Sequence, residues 1–327
     1  PKALARGPVV TVDAARLRLV FFGTPSFAVL TLGALVATRH HVVAIVTQPD
    51  RPRGRGQRVS DAPVKALAVE RGLPVLQPDR LSRDLFGESF AALDADLGVV
   101  AAYGKILPEW LLQTPRLGMI NVHASLLPKY RGAAPVHRAI LAGEAETGVT
   151  IMRVVRALDA GPMLARVVRP IAAGDTSDVV ERDLADMGAR LLVRVLDDLV
   201  AGRITEVPQN DADATYAPRL TKEEGRLDFH RPALEIHNKI RGLRPWPAAY
   251  TFLDGARLVL HHARLSSHDP RDAEPGTCVR ADRTAITVAA GDRRAVDLLH
   301  LQPEGRRIMS ARDFLAGHGR LTGQRFG

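Results

Sequence analysis

The chain has 327 residues, a length that suits two cores better than one, and its 46% hydrophobic and 25% charged residues are those of an ordinary globular protein. No apolar run is long enough to cross a bilayer, so no membrane partner is expected, and the single cysteine, Cys278, excludes an internal disulfide framework and a cysteine-based zinc site. That cysteine usage points to a reducing compartment, the cytoplasm, while the net charge of +9, carried mostly by arginine, fits an anionic partner without specifying one.

Residues 1–16 begin without Met and show neither strand nor helix patterning, and they read as a leader, processed, truncated or added, ahead of the first strand. LRLVFFG (17–23) is a short apolar run ending in glycine, and PSFAVLTLGALVATRH after it has helical spacing with Pro25 near the first turn. HVVAIVTQ (41–48) predicts a second strand and DAPVKALAVERGL (61–73) a second helix. ADLGVVAAYG, LGMINVHAS and GVTIMRV give further short strands, and SDVVERDLADMGARLLVRVLDDLVAG (177–202) a long amphipathic helix. Strands alternating with helices predict an α/β unit over 17–204 with a doubly wound, mostly parallel, Rossmann-like sheet.

Residues 205–222, polar and proline-bearing, read as an interdomain linker. Over 223–327 a helix, PALEIHNKIRGL, precedes short alternating runs: AAYTFL, ARLVLHHARL, GTCVRA, AITVAA and AVDLLHLQP. Asp254 and Gly255 predict a hairpin turn, and Ser310 caps a last short helix. Several short strands with turn signals predict a small, OB-like barrel.

In an open parallel sheet, chemistry gathers past the carboxyl ends of strands. Asn121 and His123 end the run MINV there, and because side chains alternate along a strand, both face one side. An amide NH2 can donate to a developing oxyanion and an imidazole can donate or transfer a proton near neutral pH. A histidine alone at a strand end is more often a satisfied core residue, and an asparagine a turn residue. A third element, LDAGPML (158–164), adds Asp159 in another turn, and a carboxylate beside an imidazole orients the ring and favours its charged form. GTPSFAV lacks the second and third glycines of a dinucleotide fingerprint, so a nicotinamide cofactor is rejected and Gly23 is read as a tight turn.

The segments FFGTPSFAV (21–29), TQPDRPRGRGQ (47–57), AAYGKILP (101–108), NVHASLLPKYRGAAPVHRAI (121–140), ETGVTIM (146–152) and LDAGPML, in this order, resemble those of the folate-dependent formyltransferases, from about residue 17 to the end of the chain. The resemblance implies that Asn121, His123 and Asp159 are catalytic. It also implies that the run Ser125, Leu126, Leu127 and Pro128 is the folate loop, with Tyr103 and Gly104 shaping the folate pocket. The implied reaction moves the formyl group of 10-formyltetrahydrofolate, with no metal, and Ala124 stands where many relatives are expected to have glycine. Lys105 is expected to be exposed.

Fold and trio alone leave the acceptor open, since relatives formylate purine precursors or sugar nucleotides and some hydrolyse the formyl folate; a noncatalytic RNA-binding descendant is the third alternative. QPDRPRGRGQRVSDAP (48–63) bears on the choice. Its Arg51, Arg53, Arg55 and Arg58, interleaved with glycine and proline, cannot form a stable helix, and the loop lacks the aromatics of a stacking platform. The resemblance is to the tRNA-directed branch, and it implies that this loop reaches the acceptor end of initiator methionyl-tRNA. On the same ground Lys239, Arg241, Arg244, Arg306 and Arg307 are candidate tRNA contacts of the barrel. A monomer is expected.

Overall fold

The structure is a computed structural model that describes residues 16–50, 52–53, 58–59, 61–318 and 321–327. The predicted leader therefore lies outside the described residues apart from Arg16, as do Arg51 and Arg55. The chain packs as two compact units, the first built from residues up to Pro128 with Gly148–Val167 and Leu184–Ala214, the second from Lys129–Thr147, Val168–Asp183 and Thr215–Gly327.

The elements in chain order begin β1 (Arg18–Gly23), α1 (Ser26–Val36), β2 (His41–Val46), β3 (Pro52–Arg53), β4 (Arg58–Val59), α2 (Pro63–Glu70), β5 (Val75–Leu76), α3 (Arg83–Ala91) and β6 (Leu97–Ala101). They continue α4 (Glu109–Gln113), β7 (Met119–His123), β8 (Arg131–Gly132), α5 (Pro135–Leu141), β9 (Glu146–Arg153), β10 (Met163–Pro170), α6 (Ser177–Val200), β11 (Tyr216–Ala217) and α7 (Ala233–Gly242). The last are β12 (Ala249–Leu253), β13 (Ala256–Leu265), β14 (Cys278–Ala281), β15 (Ile286–Ala289), β16 (Ala295–Pro303), β17 (Met309–Ser310) and α8 (Ala311–Ala316).

The large sheet has the order β10-β9-β7-β6-β1-β2-β5. β1 pairs in parallel with both β2 and β6, and β6 in parallel with β7, whereas β7 meets β9 antiparallel, so the sheet is mostly parallel as predicted. From β1 the chain adds strands first on one side, through β2 and β5, and then on the other, through β6 and β7; the order reverses between β1 and β6. Polar groups past the ends of β1, β6 and β7 therefore stand where such sheets bind ligands. β1 is buried along nearly its whole length, as a central strand covered on both faces must be, and its Val20 and Phe22 join Phe86, Phe90 and Met119 in one core.

Gly23 has a different role from the predicted turn. It is the last residue of β1, and a Cβ there would stand 2.7 Å from the Phe21 ring and 2.8 Å from Ala28, so its bareness lets α1 approach the strand.

In the second unit β12, β13, β16, β15 and β14 form an antiparallel sheet with β17 on β16. The predicted hairpin is there, with Asp254 and Gly255 at φ 49° and 77° between β12 and β13. Ser310 caps α8 through its hydroxyl, which accepts from Asp313 N at 3.2 Å. The last residues reach both edge strands: Phe326 bridges Leu253 at the end of β12, and Arg325 bridges Thr277 beside β14. Phe229, Ile236, Ile240, Leu260, Val288, Leu298, Phe314 and Phe326 fill this unit's core.

Parts of the stretch read as a linker pair within each unit. In the first unit, Val207 exchanges both backbone hydrogen bonds with Met163. In the second, β11 pairs in parallel with β8, and Gly132 lies so close to Ala217 that a Cβ would be 2.7 Å from its carbonyl oxygen. Polarity and proline marked the stretch as irregular; the partners it pairs with are distant in sequence and leave no local signal.

Candidate active site

β7 carries Asn121 and His123 to the carboxyl end of the sheet, between Val100 of β6 and Met152 and Thr150 of β9. Alternation puts the two side chains on one face; His123 is 6% exposed and Asn121 half-buried. Asp159 arrives from the turn before β10, where its carboxylate Oδ2 stands 3.7 Å from Nδ1 of His123 and is itself 14% exposed. That separation is beyond a direct hydrogen bond but well within Coulomb range for a shielded pair. The backbone of Asp159 sits at φ +47°, a conformation aspartate tolerates better than most residues. The three residues predicted to act together are brought together.

The folate loop predicted at Ser125–Pro128 is pinned to β9 by Thr150. This buried hydroxyl donates to Ser125 O at 2.7 Å and accepts from Leu127 N at 3.2 Å. Ser125 and Leu127 are buried, while Leu126 and Pro128 are half-exposed. Gly148 makes room for the loop, since a Cβ there would stand 2.4 Å from Leu126 and 2.1 Å from Val167 O. Ala124 is not among the residues of positive φ, so its methyl group is accommodated. Thr150 and Gly148 were inside a recognised segment, yet their part in fixing the loop became visible only with β9 placed beside β7.

Past β6, Gly104 is exposed with φ +79° and Ile106 is 89% exposed, an apolar side chain at the rim. Tyr103 does not line that rim with its ring, which is 2% exposed and packs edge-on against Phe22 at 5.4 Å. Burial pushes its hydroxyl up to about 12, so it stays protonated across the working range. What Tyr103 offers near the surface is backbone: its carbonyl accepts from Gln48 Nε2 at 2.7 Å, tying the end of β6 to the end of β2. Lys105, expected to be exposed, is half-buried and donates to the carbonyls of Pro78 and Asp79, 3.0 Å each.

Of the arginine loop, Arg53 and Arg58 are paired in backbone register across the short antiparallel pair β3 and β4. Its two ends are held by one side chain. Lys65 on α2 pairs with Asp50 before the loop and with Asp61 after it, the latter at 2.8 Å, and Gln77 donates to Asp50 Oδ1 at 3.1 Å. The pairings with Asp50 and then Asp61 raise the Lys65 ammonium, and Lys65 in turn holds the Asp50 carboxyl below its usual range.

The candidate contacts of the second unit divide. Arg241 is not a surface group: it is 8% exposed, and its guanidinium donates to Asn238 Oδ1 at 2.9 Å and to the carbonyls of Ala172 and Asp175. Position in α7, a helix with a buried face, decided this over charge. Arg244 is half-buried against Asp178 and the carbonyl of His261, and the half-buried Lys239 donates to Arg226 O at 2.7 Å. Arg306 and Arg307 are exposed in the turn after β16.

Residues 17–196 match the formyl transferase family, and residues 219–319 match the formyl transferase C-terminal domain. The methionyl-tRNA formyltransferase of Methylococcus capsulatus is 47% identical over 311 residues, 95% of this chain and 100% of that one. That of Bacillus licheniformis is 44% identical over 95% of this chain and 98% of its own length. Among solved structures, the N-formyltransferase of Helicobacter canadensis, in complex with folinic acid and dTDP-3-aminofucose, matches with TM-score 0.65 at 17% identity, over 86% of this chain and 98% of that one. HypX of Aquifex aeolicus in complex with tetrahydrofolic acid matches with TM-score 0.60 at 16% identity, over 95% of this chain and 51% of its own. At such low identity these two speak for the fold, whereas the sequence relatives speak for more: the chain belongs to the formyl transferase family and, within it, to the methionyl-tRNA formyltransferases.

Proposed function

We propose that the protein formylates methionyl initiator tRNA from 10-formyltetrahydrofolate with Asn121, His123 and Asp159 as its catalytic groups. The observation that carries this is the meeting of an amide, an imidazole and a carboxylate at the end of β7, with Asp159 3.7 Å from His123. Membership in the methionyl-tRNA branch supports the choice of acceptor. The residues fit a folate. Ile106, after β6, and Leu126 and Pro128, after β7, give apolar surface on two loops that follow neighbouring strands, and Gly104 adds bare, exposed backbone to the first.

The folate supplies a formyl carbon bonded to nitrogen, which the free α-amino group of the methionyl ester attacks. Asn121 donates its amide hydrogens to the oxygen on which charge develops, and protonated His123 donates a second hydrogen bond to it. Asp159 keeps a negative charge beside the imidazolium and so holds the proton on the ring until the carbonyl re-forms. One proton of the attacking amine is lost to water; as the carbonyl re-forms, His123 passes its ring proton to the departing folate nitrogen, and water returns a proton to the ring. Residues 17–204 carry this chemistry, and 223–327 add contacts to the tRNA backbone, with Arg306 and Arg307 the most accessible of the predicted groups.

Purified protein supplied with 10-formyltetrahydrofolate should formylate charged initiator methionyl-tRNA in strong preference to charged elongator methionyl-tRNA. Equal loss of formyl folate with no acceptor present would instead identify a hydrolase, and turnover with an amino-sugar nucleotide alone would identify the sugar branch.

The Lys65 clamp makes a second expectation. Lys65→Met removes both pairings that close the arginine loop, so KM for methionyl-tRNA should rise about three-fold while KM for the folate stays unchanged. A change confined to the folate KM would detach the clamp from RNA use.

A further inference from the structure

Asp159 is held in place from a distance. The turn that carries it has its aspartate at φ +47°, and Gly161 two residues on is pressed so closely to β9 that a Cβ would lie 1.9 Å from Arg153 O. On its other side stands Gln209, fifty residues further along the chain. The side-chain Nε2 of Gln209 donates to the carbonyl of Asp159 and to that of Gly161, both at 2.8 Å, so the two amide hydrogens bracket the turn. Gln209 is itself anchored, because Val207, two residues before it, pairs with Met163 at the start of β10 at 2.8 and 2.9 Å.

We infer that Gln209 is a positioning residue for catalysis: by holding the Asp159 and Gly161 carbonyls it fixes where the Asp159 carboxylate stands relative to the His123 ring. The inference rests on the catalytic reading of Asn121, His123 and Asp159. The carboxylate lies 3.7 Å from Nδ1, beyond direct hydrogen-bond length, so a shift of the turn changes that distance. A turn in a sparsely populated backbone conformation relaxes when the groups that over-determine it are removed. No substrate contact is assigned to Gln209.

The test is a double-mutant cycle between Gln209→Leu, which keeps the volume and removes both donors, and Asp159→Asn. kcat and both KM values are measured with 10-formyltetrahydrofolate and methionyl-tRNA. Gln209→Leu alone should lower kcat about ten-fold, with each KM within about two-fold of wild type, as expected for a misplaced catalytic group. In the Asp159→Asn background the same substitution should cost nothing further. An equal loss in both backgrounds, or a wild-type kcat for Gln209→Leu, overturns the inference. Should Gln209→Leu melt below the assay temperature, Gln209→Met carries the same cycle. Failure of the underlying reading looks different: Asp159→Asn would then turn over like wild type, or the wild type would not formylate methionyl-tRNA.

Discussion

Asn121→Ala and His123→Ala are each expected to lower kcat by about 10²- to 10³-fold, the usual loss when one oxyanion donor is removed, while affinity for methionyl-tRNA stays within about two-fold of wild type. The split follows from where the two side chains stand. Both come from one short strand, β7, whose neighbours β6 and β9 hold its backbone through regular pairing, so truncating either side chain leaves the strand in place. Neither is a large core residue, and Asn121 is only half-buried, so the variants should stay folded. The two losses should not multiply. In the proposed mechanism both groups serve one oxygen atom, and residues that act as a unit are non-additive, so the double variant should be little slower than the worse single one. Rates are read by single turnover with saturating tRNA, and binding by filter retention of labelled methionyl-tRNA. A parallel fall in binding and in rate would sink the assignment, because it would make β7 part of the RNA interface rather than the reacting centre.

What the chain disclosed in advance followed the range of each interaction. Apolar periodicity is local, and it placed β1, β2, β6, β7, α6 and the short strands of the second unit within a few residues. Asp254-Gly255 and Ser310 are local too, each acting on backbone within three residues, and both do what their type predicts. Asn121 and His123 could be paired because alternation along one strand is enough to set them side by side. Asp159 entered only through its turn and the family resemblance.

The features that escaped are those made by residues far apart in sequence. Thr150 fastens a loop more than twenty residues away, Gln209 holds a turn some fifty residues back, and residues 205–222 acquire order from strands to which nothing near them points. Tyr103 and Arg241 show what burial adds. The resemblance offered one for the folate pocket and the other for the RNA, and the structure holds the Tyr103 ring in the core and the Arg241 guanidinium among backbone carbonyls. Burial depends on what packs opposite, which a single strand or helix does not reveal.

Substituting alanine for Arg51, Arg53 and Arg55 together should flatten the salt dependence of methionyl-tRNA binding while leaving folate binding as it is. If each guanidinium neutralises one phosphate, the three release counterions that contribute about 2.7 to the slope of log affinity against log salt, so between 50 and 200 mM the wild type should lose about 40-fold more affinity than the triple variant. Arginine flanked by glycine and proline lacks the spacing for an amphipathic face, so these side chains have no helix of their own to decorate. Asp50 before the loop and Asp61 after it both pair with Lys65, and fixing the two ends lessens the ordering cost of placing three long side chains on a phosphate track. The aromatic side chains of a base-stacking platform are absent from the loop, so its contribution should be electrostatic and spread along the backbone rather than read from one base. An unchanged slope in the triple variant would take the loop out of the interface and move the search for the RNA contact to Arg306 and Arg307. A steep fall in folate affinity would tie the loop to the donor instead, and acceptor choice would then rest on the second unit.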